Sequence, residues 1–138
     1  MEDNDEPHND ATDFYLYPMY NGEFVFENDV YNEAIPKGFI GDGEDIKEAA
    51  NREAEFYGFE ILGEPILFFV EYSKYSYGTK HYICKVKQLS NKHSRNNFDF
   101  FTPHEFLTDI LPNEELYGDF DRAKVGQALQ AFLENNKI

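Results

Sequence analysis

The stretch from Pro36 to Phe59, PKGFIGDGEDIKEAANREAEFYGF, limits what this chain can fold into more than any other. Glycines at 38, 41 and 43 forbid regular structure until about Glu44. Asp45 to Tyr57 then has helical composition, with Gly58 as its C-terminal stop. Within that helix Ile46, Ala49, Ala50, Glu53 and Tyr57 recur at helical spacing. Glu53 therefore lies in line with the apolar stripe, where a carboxylate needs a partner.

Strand material flanks this stretch on both sides. FYLYPMY and EFVFEN, separated by Asn21-Gly22, read as two aromatic-rich strands of a tight hairpin. Pro18 predicts that the first is an edge strand or carries an irregularity. After the helix, FEILGEPILFFVEY is strand sequence interrupted by Gly63 and Pro65, which predicts a bend or bulge before the run Ile66 to Tyr72. Lys80 to Leu89 is the next strand, with Tyr77 and Gly78 in the turn before it, and FDFF is a short one. Thr102-Pro103-His104-Glu105 opens a helix to about Leu111, with Thr102 as N-cap, Pro103 at the first position and Glu105 closing a capping box. Asp119 to Asn135 places Val125, Leu129, Phe132 and Leu133 on one helical face. The order strands, helix, strands, helix, helix predicts an α/β fold: an α/β/α sandwich with helices on both faces of a mixed sheet.

A chain of 138 residues suits one domain and buries about two thirds of its unfolded surface. Residues 1–12 are acidic and nearly free of large apolar side chains, so they read as a solvated arm before a single domain over 13–138.

Gly38, Glu44, Arg52 and Glu53 fall on the spacing G-x5-E-x7-R-E. On these residues the stretch resembles the signature of the Nudix family, G-x5-E-x7-R-E-U-x-E-E-x-G-U, with U a bulky aliphatic residue. The resemblance implies a Nudix fold from about residue 13 onward and a divalent cation, magnesium or manganese. It also implies a substrate built as a nucleoside diphosphate linked to another group and cleaved by water. Oxygen-ligated cations neutralise a diphosphate and lower the pKa of a bound water. Carried over by position, Arg52 braces the loop, Glu53 is the metal ligand, and Glu105 falls where many members place a catalytic base. Pro36-Lys37-Gly38 resembles the loop entrance of members acting on dinucleoside polyphosphates.

The last two glutamates of the pattern are replaced by Phe56 and Tyr57, and its glycine arrives one residue early. Two residues along a helix is a rotation of about 200°, so Glu55 does not replace either ligand unless the last turn is re-registered, which would bring Glu55 or Glu60 near. The expected activity is thus weak or lost hydrolysis on a retained scaffold. Each residue also has a plain structural reading. Arg52 pairs with Glu48 at i and i+4, Glu53 is a core-edge carboxylate, and Glu105 closes its capping box. His81, His93 and His104 show no metal-ligand spacing, and Cys84, in mid-strand, belongs in the core.

Charge is segregated. From Ser73 to Asn97 there are six cationic residues and no acidic one, in a chain of formal net charge −15. One reading is that this hairpin presents cations such as Lys80 and the rings of Tyr72, Tyr75 and Tyr77 to an anionic, nucleotide-derived small molecule. Another is that it rests on an acidic surface of the same protein or of a partner. The net charge disfavours direct nucleic-acid binding and anionic membranes. The single cysteine, the lack of a long apolar run and the acidic N-terminus predict a cytoplasmic protein. A second function class stays open: a non-catalytic binding or inhibitory module that uses its acidic, tyrosine-rich surface against a protein partner.

Overall fold

Asn21 and Gly22 both adopt positive φ, 51° and 83°, the backbone of a primed two-residue turn that suits the twist of a hairpin. It joins β1 (Asp13–Tyr20) to β2 (Glu23–Asn28). The computed structural model describes residues 13–28, 35–56, 58–73, 76–87, 97–113 and 120–136, without the side chains of Glu27, Asn28, Ser73, Ser76, Tyr77 and Asn97. The arm expected over 1–12 and most of the basic stretch beyond Lys87 lie outside these residues.

The remaining elements are β3 (Lys37–Phe39), α1 (Ile46–Phe56), β4 (Glu60–Ser73), β5 (Ser76–Lys87), β6 (Asn97–Phe101), α2 (Pro103–Glu105) and α3 (Arg122–Asn135). The sheet runs β4-β5-β1-β2-β6, with β3 added to β1. β1 and β5 are parallel and the other pairs antiparallel, so the sheet is mixed.

β1 is an interior strand, which corrects the edge-strand expectation drawn from Pro18. Its tolerance of proline has a local cause. Tyr15 pairs with Lys37 of β3 and Met19 with Phe24 of β2, and between them the Leu16 N–H donates to Pro36 O. Pro18 has the same parity as Leu16, so its missing N–H points into the gap where one neighbour strand has ended and the next has barely begun.

Alternation along the strands builds two cores. Tyr15, Tyr17, Phe24, Phe26 and Ile83 face α3 and the segment after α2, against Phe106, Leu111, Val125 and Leu129. Phe14, Leu16, Val25, Tyr82, Cys84 and Val86 face α1, against Ala49, Ala50 and Ala54. The three alanines let α1 lie close on the sheet. Helices thus cover both faces, as the element order predicts.

α2 begins as its sequence dictates. The Glu105 N–H donates to Thr102 Oγ1 and the Thr102 N–H to Glu105 Oε1, with Pro103 in the first turn. The helix then widens to a π-helical turn, Phe106–Ile110, closed by the Leu111 N–H on Phe106 O. β4 bulges between Leu62 and Ile66, where Gly63 takes φ 78°, as its sequence predicts. One boundary differs from the expectation: Ser73 pairs with Ser76, so the chain reverses earlier and Tyr77 and Gly78 belong to β5.

Candidate functional site

The loop between β3 and α1 is fastened by the residues on which the resemblance rests. Asp45 caps α1 through the Glu48 N–H (2.8 Å), and Glu48 returns the bond to the Asp45 N–H (2.9 Å). That reciprocal cap occupies Glu48, so Arg52 turns instead to the loop. Its Nη1 pairs with Glu44 Oε2 and its Nη2 donates to Phe39 O at 2.7 Å. Glu44 Oε1 accepts from the Gly41 N–H at 2.7 Å. One guanidinium therefore ties the strand before the loop to the loop's end. The Arg52 hydrogen bond, followed by that of the Gly41 N–H, holds the Glu44 carboxyl below its usual range. Glu44 in turn raises the Arg52 pKa.

Glu53 lies against Gly38. A Cβ at position 38 would stand 2.5 Å from Glu53 Cγ and 2.8 Å from Oε2, so only glycine lets the carboxylate rest on the β3 backbone. Partial burial raises the Glu53 pKa, Arg52 with Nη2 at 3.8 Å opposes that rise, and Glu44 adds to it.

The family resemblance implies a divalent cation here, and the donor set can be tested against it. Both Glu44 oxygens are engaged, Phe56 is an exposed hydrocarbon ring one turn beyond Glu53, and Glu60 pairs with Lys87 at 3.1 Å. Tyr57 lies outside the described residues. α1 ends regularly. Gly58 takes φ 89°, its N–H bonds Glu55 O, and the Phe59 N–H bonds Ala54 O, which is a Schellman closure. The last turn is not re-registered, and Glu55 stays rotated away from Glu53. Among the described residues no three His, Cys, Asp or Glu side chains gather to hold a metal. Glu53 is the one carboxylate they offer, and that set does not fit a divalent cation of the family's kind.

Alternation divides the expected ligand-binding residues. Gly38 pairs with Phe14, and Phe14 with Lys80 on its other side. Lys80 has the parity of Tyr82 and Cys84, so Gly38, Glu53 and Lys80 share the α1 side of the sheet. Tyr72 joins them as an exposed ring lying over Gly78, whose added Cβ would sit 3.0 Å from the ring. Lys37 goes to the opposite side, with Nζ 5.5 Å above the Tyr15 ring. Tyr77 is on β5, but its side chain is outside the described set. Glu105 spends its carboxylate on the α2 cap, and α2 leads into Phe106 on the face opposite α1.

Sequence reasoning passed over His81, considered only for metal spacing. It is fully buried, with Nδ1 2.7 Å from the Tyr17 hydroxyl and its ring stacked on Tyr15 at 5.3 Å. Burial lowers its pKa to about 4 and raises that of Tyr17. The available signal was its parity with Ile83 in a strand buried on both faces.

No protein-family model matches the sequence, and no curated protein matches it. Solved structures do match in fold. The pyrophosphohydrolase of Bacillus subtilis superposes with a TM-score of 0.70 at 15% identity, over 97% of this chain and 89% of that one. An ADP compounds hydrolase gives 0.62 at 18%, over 89% of this chain and 72% of the other. A Chromobacterium violaceum protein placed in the nudix hydrolase family gives 0.59 at 18%, over 96% and 84%. The chain has a Nudix-like fold, and at these identities the likeness shows the fold alone.

Proposed function

We propose that this chain is a Nudix-fold protein that binds a nucleoside diphosphate-linked compound and has weak or no metal-dependent hydrolytic power. The observation that carries this reading is the fastened loop: Arg52, Glu44 and Gly41 hold it in place, with Glu53 seated on Gly38. A scaffold without a ligand has little reason to keep so much hydrogen bonding in an exposed turn. The names of its structural neighbours, an ADP compounds hydrolase and a pyrophosphohydrolase, point to the same ligand class. In this reading Arg52 positions the loop and Glu53 is the residual acidic group. Gly38 and Lys80 flank the diphosphate, the exposed Tyr72 ring supplies a stacking surface, and Lys37 stands on the opposite face of the sheet. Glu105 is structural. The reading includes a single domain over 13–138 after an acidic arm, and a cytoplasmic location; no helix among the described residues is long and apolar enough to cross a membrane.

The chain's own contribution is orientation: the Arg52 brace, the glycine cradle and the ring of Tyr72.

A second reading is a module that docks on a protein partner through its acidic surface. Phe39 and Phe56, 60% and 66% exposed beside α1, favour it. A panel of nucleoside diphosphate compounds incubated with magnesium or manganese separates the two. Ligand-induced thermal stabilisation that ignores metal, with negligible turnover, supports the proposal. Rapid turnover abolished by Glu53→Gln contradicts the loss of hydrolytic power, and no stabilisation by any compound moves the case to the partner module.

A further inference from the structure

The sheet face under α3 holds a constellation that the Gly38–Glu53 site does not use. Among the described residues His81 Nε2 is buried without a hydrogen-bond partner, and it points at Glu71 Oε1, 3.6 Å away and beyond hydrogen-bonding reach. Electrostatics selects the tautomer. A proton on Nδ1 would set the Nε2 lone pair against a carboxylate oxygen. With the Tyr17 hydroxyl donating to Nδ1, Nε2 carries an N–H directed at Glu71. That N–H is a buried donor without an acceptor among the described residues. Meanwhile Glu71 Oε2 accepts from the Asp121 N–H at 2.8 Å, at the N-cap of the 14-residue α3.

Arg122 borders the same place, whereas Lys37 on β3 lies across Tyr15 from His81. The Phe120 ring stands edge-on to His81 (5.6 Å) and to Tyr15 (5.2 Å). The Arg122 guanidinium lies 5.2 Å above Phe120, and Lys37 Nζ 5.5 Å above Tyr15. In a chain of net charge −15, an imidazole N–H and the N-cap N–H of a helix meet at one spot, with Arg122 at its rim. The Glu71 carboxylate fills that spot, accepting the Asp121 N–H but not the imidazole, while the Asp121 side chain caps the helix itself through the Lys124 N–H.

We propose that Glu71 is an internal stand-in for a phosphate-type oxyanion, and that this face binds such an anion when Glu71 swings outward. The Glu71 side chain is 21% exposed and can leave, whereas His81 is reached only after it does. A planar carboxylate held by the Asp121 N–H leaves Nε2 unserved. A tetrahedral phosphate has enough oxygens to accept from Nε2–H and from the Asp121 N–H together. The inference is independent of the Gly38–Glu53 reading, since that surface lies on the opposite face of the sheet.

The test is a titration with inorganic phosphate of wild type and Glu71→Gln, followed by nitrogen resonances in protein labelled at histidine. Glutamine keeps the side-chain length and an oxygen for the Asp121 N–H while removing the competing charge. The expected result is at least a tenfold tighter phosphate dissociation constant in Glu71→Gln, with a shift of the His81 Nε2 resonance on binding. ADP binding more tightly than phosphate with the same His81 shift names a nucleotide's terminal phosphate as the source, and equal affinities name free phosphate. Unchanged affinity in Glu71→Gln, or binding that leaves His81 Nε2 unmoved, overturns the proposal.

Discussion

Acid should unfold this protein through His81 before most of its carboxylates are protonated. Burial lowers the His81 pKa from 6.5 to about 4, so as pH falls the unfolded chain takes up the proton first. Stability from this group is complete above about pH 6.5 and is lost progressively down to about pH 4. At 1.36 kcal/mol per pKa unit the full loss is about 3 kcal/mol, with about 2 kcal/mol gone by pH 5. Among the described residues, Glu71, Tyr15, Tyr17 and Arg122 are ionisable groups near it. The assay is urea unfolding at several pH values between about 8 and 5, for wild type and for a Tyr17→Phe, His81→Phe double variant. The double variant removes the hydroxyl as well, so no buried donor is stranded. The wild type should lose about 2 kcal/mol more than the variant over this range. Parallel pH profiles for the two proteins would refute the reasoning.

Three further outcomes follow from the geometry. Arg52→Ala releases Glu44 and the Phe39 carbonyl; hydrogen exchange at Gly41 should quicken several-fold, with little change in global stability because the pair is exposed. Gly38→Ala drives a methyl into the Glu53 side chain and should cost about 1–3 kcal/mol in denaturant unfolding, an effect largely relieved in a Gly38→Ala, Glu53→Ala double variant. Cys84, buried with its pKa pushed up to about 12, should resist thiol reagents in the native protein and react fully once unfolded.

The hairpin, the stop at Gly58 and the capped start of α2 were legible because each depends on a few adjacent residues. Asn21-Gly22, Gly58 and Thr102-Pro103-His104-Glu105 act through local backbone preference and short-range hydrogen bonds. Strand order was not legible. Pro18 argues for an edge, and only the handover from β3 to β2 beside β1 shows why an interior strand accepts it. The same limit applies at the site. The family resemblance of Gly38, Glu44, Arg52 and Glu53 implied that Arg52 braces the loop, and Arg52 pairs with Glu44 and donates to Phe39 O. Pairing Arg52 with Glu48 was equally compatible with the sequence until the Asp45 cap claimed Glu48. Lys37 and Gly38 were expected to serve one surface, yet as adjacent residues in a strand they serve opposite faces. His81 was missed because its environment comes from β1, β4 and the segment before α3, none of them its sequence neighbours.

Calorimetric titration with an ADP-sugar, first in excess chelator and then in magnesium, tests the central claim most directly. The account predicts the same affinity in both, no product formed, and binding weakened by Lys80→Ala. Binding and turnover that appear only with magnesium and vanish in Glu53→Gln would contradict it.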